Sequence, residues 1–307
     1  MLRRWTLAGL LIVQALLSAH AVAPPDRLLL VHPEVSGAYA AIIEQFREGL
    51  QQTTAAPVEA YALKAGDSPG ELQRWLATRG EARAVVTLGR SALDAVQDLG
   101  ATTPVYAAAL DEAPNDEVRG VSVFIDPTRF LGLLKTLTPE IDTVHLVYRA
   151  DTSAALAPTI EAVAKGQGLS VVPHGVNDLR DAVSVTSEVL RAAKRNEAIW
   201  LHRGVLRLND DLLLDLVIRE SWSRRIPVFT SEAQYVKRGI LFSLFPDYEA
   251  LGRALGEMAN GQADDASHGL EFLQTTKAAL NLRTARHLDL HPSPEVQAHF
   301  EVVYPVR

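Results

Sequence analysis

The chain has 307 residues, 48% of them hydrophobic, with 30 basic against 37 acidic side chains and no cysteine. Disulfides, thiolate metal sites and a lipid-modified cysteine are therefore excluded, and a large apolar core has to hold the fold. The acidic balance, with no basic run and no RNA-type aromatic motif, argues against nucleic acid as a partner.

Met1-Leu2-Arg3-Arg4 is a short cationic start, and residues 5–17 are apolar apart from Thr6 and Gln14. That stretch is too short to cross a bilayer as a permanent helix. Small residues follow, so cleavage after Ala21 or Ala23 fits an A-x-A rule, and Pro24-Pro25 stops any helix running on. Residues 1–23 are expected to be a cleavable signal peptide. Without the two leader arginines the mature chain carries 28 basic against 37 acidic residues, a balance of −9. A soluble, freely diffusing periplasmic monomer is expected.

Short apolar runs then alternate with longer helical stretches, the pattern of parallel sheets covered by helices. Strands are predicted over 27–31, 58–63, 84–88 and 104–108, with helices over 36–51, 70–78 and 91–99. A second series places strands at 121–124, 143–148, 169–172, 198–201 and 226–230. Its helices are predicted over 127–137, 152–165, 179–194 and 210–223, and one begins near residue 232. A further helix is predicted over 248–260, before a Pro-punctuated end around Pro292 and Pro294. Two series of this kind predict two α/β lobes, each a doubly wound parallel sheet, and the strand-like junctions near residues 120 and 242 predict a hinge of crossing strands.

Ligands of open α/β sheets bind beyond the carboxyl ends of the strands, where helix N-termini offer free N–H groups. The residues there are Ser36 and Tyr39; Gly89, Arg90 and Ser91; Asp111 and Glu112; Arg149, Asp151, Thr152 and Ser153; His202 and Arg203; Ser231 and Glu232. Ser91 reads either as a helix cap or as a ligand hydroxyl. Arg90, Arg149 and Arg203 favour an acidic ligand group if they converge, and are solvated rim charges if they do not. Tyr39, Tyr106, Phe124 and Phe245 are candidates for an apolar pocket wall.

Catalytic signatures are absent. Ser91 lacks a G-x-S-x-G setting, and there is no phosphate-binding loop or dinucleotide fingerprint. His287 and His291 are four apart, but Pro292 follows at once and no H-E-x-x-H context exists, so no metal is expected. Neither catalysis nor a cofactor is expected.

Arg119-Gly120-Val121-Ser122, Ile226-Pro227-Val228-Phe229-Thr230-Ser231, Val236-Lys237-Arg238-Gly239-Ile240-Leu241 and Asp247-Tyr248-Glu249-Ala250-Leu251-Gly252-Arg253 resemble the ABC-transporter substrate-binding family that includes tryptophan- and other aromatic-amino-acid-binding members. The resemblance extends to Asn281-Leu282-Arg283-Thr284-Ala285. It implies a type I periplasmic-binding-protein fold with three crossovers, lobe 1 comprising 24–120 and 243–272 and lobe 2 comprising 121–242 and 273–307. It also implies a small-molecule solute, an amino acid or related carboxylate, held between the lobes and delivered to a membrane permease. A sensory module signalling to a membrane receptor or kinase is the alternative. By position, Ser36, Gly89, Ser91, Asp151, Ser153 and Glu232 are implied cleft residues. One departure stands out: where the family shows an acid and an asparagine, this chain has His202-Arg203-Gly204, which tilts the expectation from a zwitterion towards an anion.

Overall fold

The computed structural model describes residues 26–99, 103–261 and 269–305; the expected leader lies outside them. The chain enters on β1 (Leu28–Pro33), whose first four residues are buried, and turns into α1 (Ala38–Gln51). β2 (Glu59–Leu63), α2 (Pro69–Arg79), β3 (Ala84–Leu88), α3 (Arg90–Gln97), β4 (Val105–Leu110) and β5 (Gly120–Ile125) follow. Local chemistry sets the helix starts. In α2 the Ser68 side chain and Glu71 form a reciprocal capping box ahead of Pro69, which satisfies two otherwise unpaired N–H groups.

The chain then crosses into the second lobe through α4 (Pro127–Leu137), β6 (Thr143–Arg149), α5 (Ala150–Ser153), α6 (Ala157–Gly166), β7 (Ser170–Val176), α7 (Leu179–Ala192) and β8 (Glu197–Leu201). α8 (Asp210–Arg224), β9 (Val228–Thr230), α9 (Gln234–Arg238) and β10 (Phe242–Pro246) continue it. It returns to the first lobe for α10 (Tyr248–Ala259) and β11 (Leu270–Leu273). It crosses a third time to β12 (Thr276–Asn281), α11 (Leu282–His287), α12 (Pro294–Gln297) and β13 (Val302–Tyr304). The helix expected over 152–165 is broken into α5, a 3-10 turn and α6. Pro158, in the first turn of α6, has no N–H to continue a longer helix.

Six strands form the first sheet in the order β11-β5-β4-β3-β1-β2, and seven form the second in the order β13-β12-β10-β9-β8-β6-β7. All pairings are parallel except β10 with β12. The architecture is thus two doubly wound, parallel-dominated α/β lobes joined by three crossings. Pairing moves the crossings a few residues from the expected boundaries. β5, assigned above to lobe 2, is hydrogen-bonded between β4 and β11. β10, assigned above to lobe 1, lies between β9 and β12.

The three crossings are tied to one another. The Asp126 carboxylate caps α4 through Thr128 N–H and accepts from Gln274 Nε2 at 2.7 Å. Asp247 caps α10, its N–H donates to the Thr275 carbonyl, and its carboxylate lies 3.2 Å from Lys277.

One hydrophobic cluster runs through both lobes. In lobe 2 it is a ladder of rings: Phe130 to Trp200 at 4.6 Å, Trp200 to Phe229 at 5.4 Å, and Phe229 to Phe242 at 4.8 Å between centroids. In lobe 1, α10 lies directly on α1 through two glycines. A Cβ on Gly252 would sit 2.0 Å from the Phe46 carbonyl oxygen, and one on Gly49 would sit 1.9 Å from that of Glu249. Backbone-to-backbone contact of this kind is open only to glycine, and it fixes how α1 faces the space between the lobes.

Candidate functional site

Between the lobes lies a cavity of about 250 Å³, just below the usual range for small-molecule sites. Its floor comes from the carboxyl ends of three lobe-1 strands: Pro33 of β1, Leu88 and Gly89 of β3, and Ala109 of β4. Gly89 is at φ +77°, where its freedom from a Cβ lets β3 bend into α3. Ala109, at φ +59° beside the irregular pairing of β4 with β5, holds a left-handed conformation that a side chain disfavours.

One wall is the inward face of α1, with Tyr39, Ile42, Ile43 and Phe46, and Tyr248 at the start of α10 closes the hinge side. Lobe 2 contributes Arg203 and, at the end of β10, Pro246. Among the described residues the lining contains one cation and no carboxylate, and Arg203 has no ion-pair or hydrogen-bonding partner.

The residue before Arg203 is wedged between the lobes. His202 ends the aromatic ladder, 5.7 Å from Trp200 and 5.5 Å from Phe124 of lobe 1, so its ring fills the junction between the lobes. Burial, reinforced by the Arg203 charge, pushes the His202 imidazole down to about 4. It is neutral at pH 7, and its Nδ1 is buried without a partner. Just beyond, Arg207 donates to Glu232, which is buried at the end of β9. Burial disfavours the Arg207 charge, but the Glu232 carboxylate more than offsets this and raises the guanidinium pKa. Charge on Arg207 also reaches the cavity residues Tyr39 and Tyr248. Burial pushes the Tyr248 phenol up, against the pull of Arg203.

The predicted residues divide into those that line this cavity and those that do not. Tyr39, Gly89 and Arg203 line it. His202, Ser231 and Glu232 lie at the lobe-2 strand ends beside Arg203, and Ser231 Oγ and Glu232 Oε2 are buried with no hydrogen-bond partner. Of the three arginines, only Arg203 is among the described lining residues. Arg90, on lobe 1, pairs with Glu112 and Asp94. Arg149 is engaged by Asp151, with Nε 2.9 Å from Oδ1, and Asp111 of lobe 1 raises its pKa further.

Ser91 is not the cap of α3. The helix begins one residue earlier, with Gly89 as N-cap and no side-chain cap, leaving Ser91 exposed. Ser36 is an exposed loop residue, and Ser153 is buried with its Oγ 3.3 Å from that of Thr152. Of the aromatic residues considered as walls, Tyr39 lines the cavity, Tyr106 packs on the core and Phe124 meets His202. Phe46 and Tyr248 were not predicted, because helices rather than strand ends deliver them. Arg207 lies four residues past Arg203 in the same post-strand segment, so extending the strand-end reading by one turn finds it.

A family model described as ABC transporter substrate binding protein matches residues 95–298. A curated relative, a "Tyrosine-binding protein" of Clostridioides difficile, is 28% identical over 203 residues, which cover 62% of this chain and 55% of the relative. The match thus spans little more than half of that relative's length. Among solved structures, a ligand-free, open substrate-binding protein with adhesive properties from Clostridium difficile aligns with a TM-score of 0.66 at 17% identity, covering 92% of this chain and all of the other. An ABC domain in complex with L-Trp from Streptococcus pneumonia aligns with a TM-score of 0.56 at 20% identity, covering 91% and 99%. These two likenesses establish the type I periplasmic-binding-protein fold. With two thirds of its length matched by the family model, the chain belongs to the ABC transporter substrate-binding protein family.

Proposed function

We propose that this protein is exported, captures a small organic carboxylate between its lobes as a monomer, and delivers it to an ABC-type permease. The observation that carries the reading is Arg203, an unpartnered guanidinium facing an otherwise apolar interlobe cavity. A guanidinium binds a carboxylate through two parallel hydrogen bonds. In a cavity without competing anions that pairing sets the orientation of the solute, while α1 and Tyr248 hold its apolar body. Tyrosine and L-Trp, the amino acids associated with the two relatives, share that carboxylate. The charged start and apolar run of residues 1–17, followed by small residues, support export. The described residues contain no helix long and apolar enough to cross a membrane. The three crossings supply a hinge about which the lobes close.

The test is a thermal-shift screen of the mature protein against amino acids, aliphatic and aromatic monocarboxylates and dicarboxylates at millimolar concentration. A ligand that binds only the folded state raises the melting temperature by mass action. At least one carboxylate is expected to do so saturably, and a screen in which none does contradicts the reading.

A further inference from the structure

The same cavity carries information about what its carboxylate ligand lacks. An α-amino acid brings an ammonium about as close to the binding site as its carboxylate, and a buried ammonium needs an anionic or strongly accepting partner. Among the described residues the cavity lining has no carboxylate. The acids nearest to it are already committed to cations: Glu232 to Arg207, Asp151 to Arg149, Glu112 to Arg90, and Asp247 to Lys277. Asp111 is exposed on lobe 1 and faces Arg149. The imidazole of His202 is neutral and wedged between Trp200 and Phe124. What remains facing the ligand is one positive charge on Arg203 and a wall of Tyr39, Ile42, Phe46 and Tyr248.

We infer that the cavity selects an apolar monocarboxylate without an α-ammonium group, an arylalkanoate, over the corresponding aromatic amino acid. The inference rests on the carboxylate reading above and narrows it. Its chemical basis is a charge count. A monoanion cancels Arg203 and leaves the cavity neutral, whereas a zwitterion adds a buried cation, and the nearby acid Glu232 lies outside the lining, held by Arg207. The cavity, at about 250 Å³, has room for a single ring with a short side chain. Glu232 Oε2 is buried without a partner, and Arg207, which donates to Oε1, is the residue that keeps that carboxylate neutralised.

Two matched pairs of probes test this by calorimetry on the mature protein: 3-phenylpropanoate against L-phenylalanine, and 3-(4-hydroxyphenyl)propanoate against L-tyrosine. Each pair differs only in the α-ammonium. At least one acid is expected to bind ten or more times tighter than its amino acid. Amino acids that bind as tightly as the acids, or tighter, overturn the inference while leaving the carboxylate reading intact. If none of the four probes binds, the inference is overturned too, and the broader screen decides the carboxylate reading separately. Arg207→Gln then assigns the cause, since it releases the Glu232 charge. The acid-to-amino-acid preference is expected to fall at least fivefold in this variant, and an unchanged preference overturns the role given to the pair. The wild-type ratio decides the ligand class even if that variant folds poorly.

Discussion

Arg207 donates to Glu232 across one edge of the interlobe cleft, pairing a guanidinium that is half exposed with a carboxylate that is buried. The two come from neighbouring strand ends: Arg207 follows β8, and Glu232 follows β9. This one contact neutralises the one buried acid among the described residues and leaves Arg203 as the charge the cavity presents.

Arg207→Ala should destabilise the protein, because it strands a buried carboxylate. Breaking a fully buried pair costs about 3–5 kcal/mol, and the exposure of Arg207 to water reduces the expected loss to about 1–2 kcal/mol. Urea unfolding measures it. Adding Glu232→Gln should recover most of the loss, and a double-mutant cycle with no coupling would show that the pair contributes nothing.

Stability should fall on acidification through the titration of His202. Its folded pKa of about 4 lies below the ordinary 6.5, so between those values the unfolded chain binds the extra proton. The stability is present above about pH 6.5 and is lost as pH falls towards 4, by about 3 kcal/mol in full. Unfolding curves at pH 7, 5.5 and 4.5 for wild type and His202→Gln check this. The variant should flatten the dependence over this range. His174, also pushed down by burial and by His145, acts in the same direction and is removed in parallel as His174→Gln.

Gly252→Ala places a methyl 2.0 Å from the Phe46 carbonyl oxygen. The helices α1 and α10 must separate, at a cost of about 1–3 kcal/mol. Because α1 carries Tyr39, Ile42 and Phe46 into the cavity, ligand affinity should fall along with the melting temperature. A stable variant with unchanged affinity would disprove the claim that this contact positions the wall.

The alternation of runs and helices made both lobes legible in the sequence; β3 and α4 occur over the residues predicted for them. The last three strands were not legible. Leu270–Leu273 and Val302–Tyr304 are very short, and Thr276–Asn281 contains lysine and alanines that carry little strand preference. Their pairing with β5, β10 and β12 is decided by segments distant in the chain. The site followed the same division. Gly89 and Arg203 sit where the strand-end rule looks, whereas Phe46 and Tyr248 reach the cavity through the packing of α1 on α10. The His202-Arg203 departure was visible as a change of charge. That His202 is an aromatic wedge, while Arg203 lines the interlobe cavity, depends on Phe124 arriving from the other lobe.

Not every cleft arginine should matter. Arg90→Ala and Arg149→Ala remove charges already engaged by Glu112 and Asp151, so each should change ligand affinity by less than about threefold, or roughly 0.6 kcal/mol. A tenfold loss in either would place the anion contact elsewhere.

If the Arg203 charge reads a carboxylate, titration calorimetry of wild type and Arg203→Gln with one carboxylate ligand and the matching alcohol reveals it. Wild type should prefer the carboxylate, and Arg203→Gln should lose at least tenfold for it, about 1.4 kcal/mol, with little change for the alcohol. Equal carboxylate affinity in the two proteins would contradict the account.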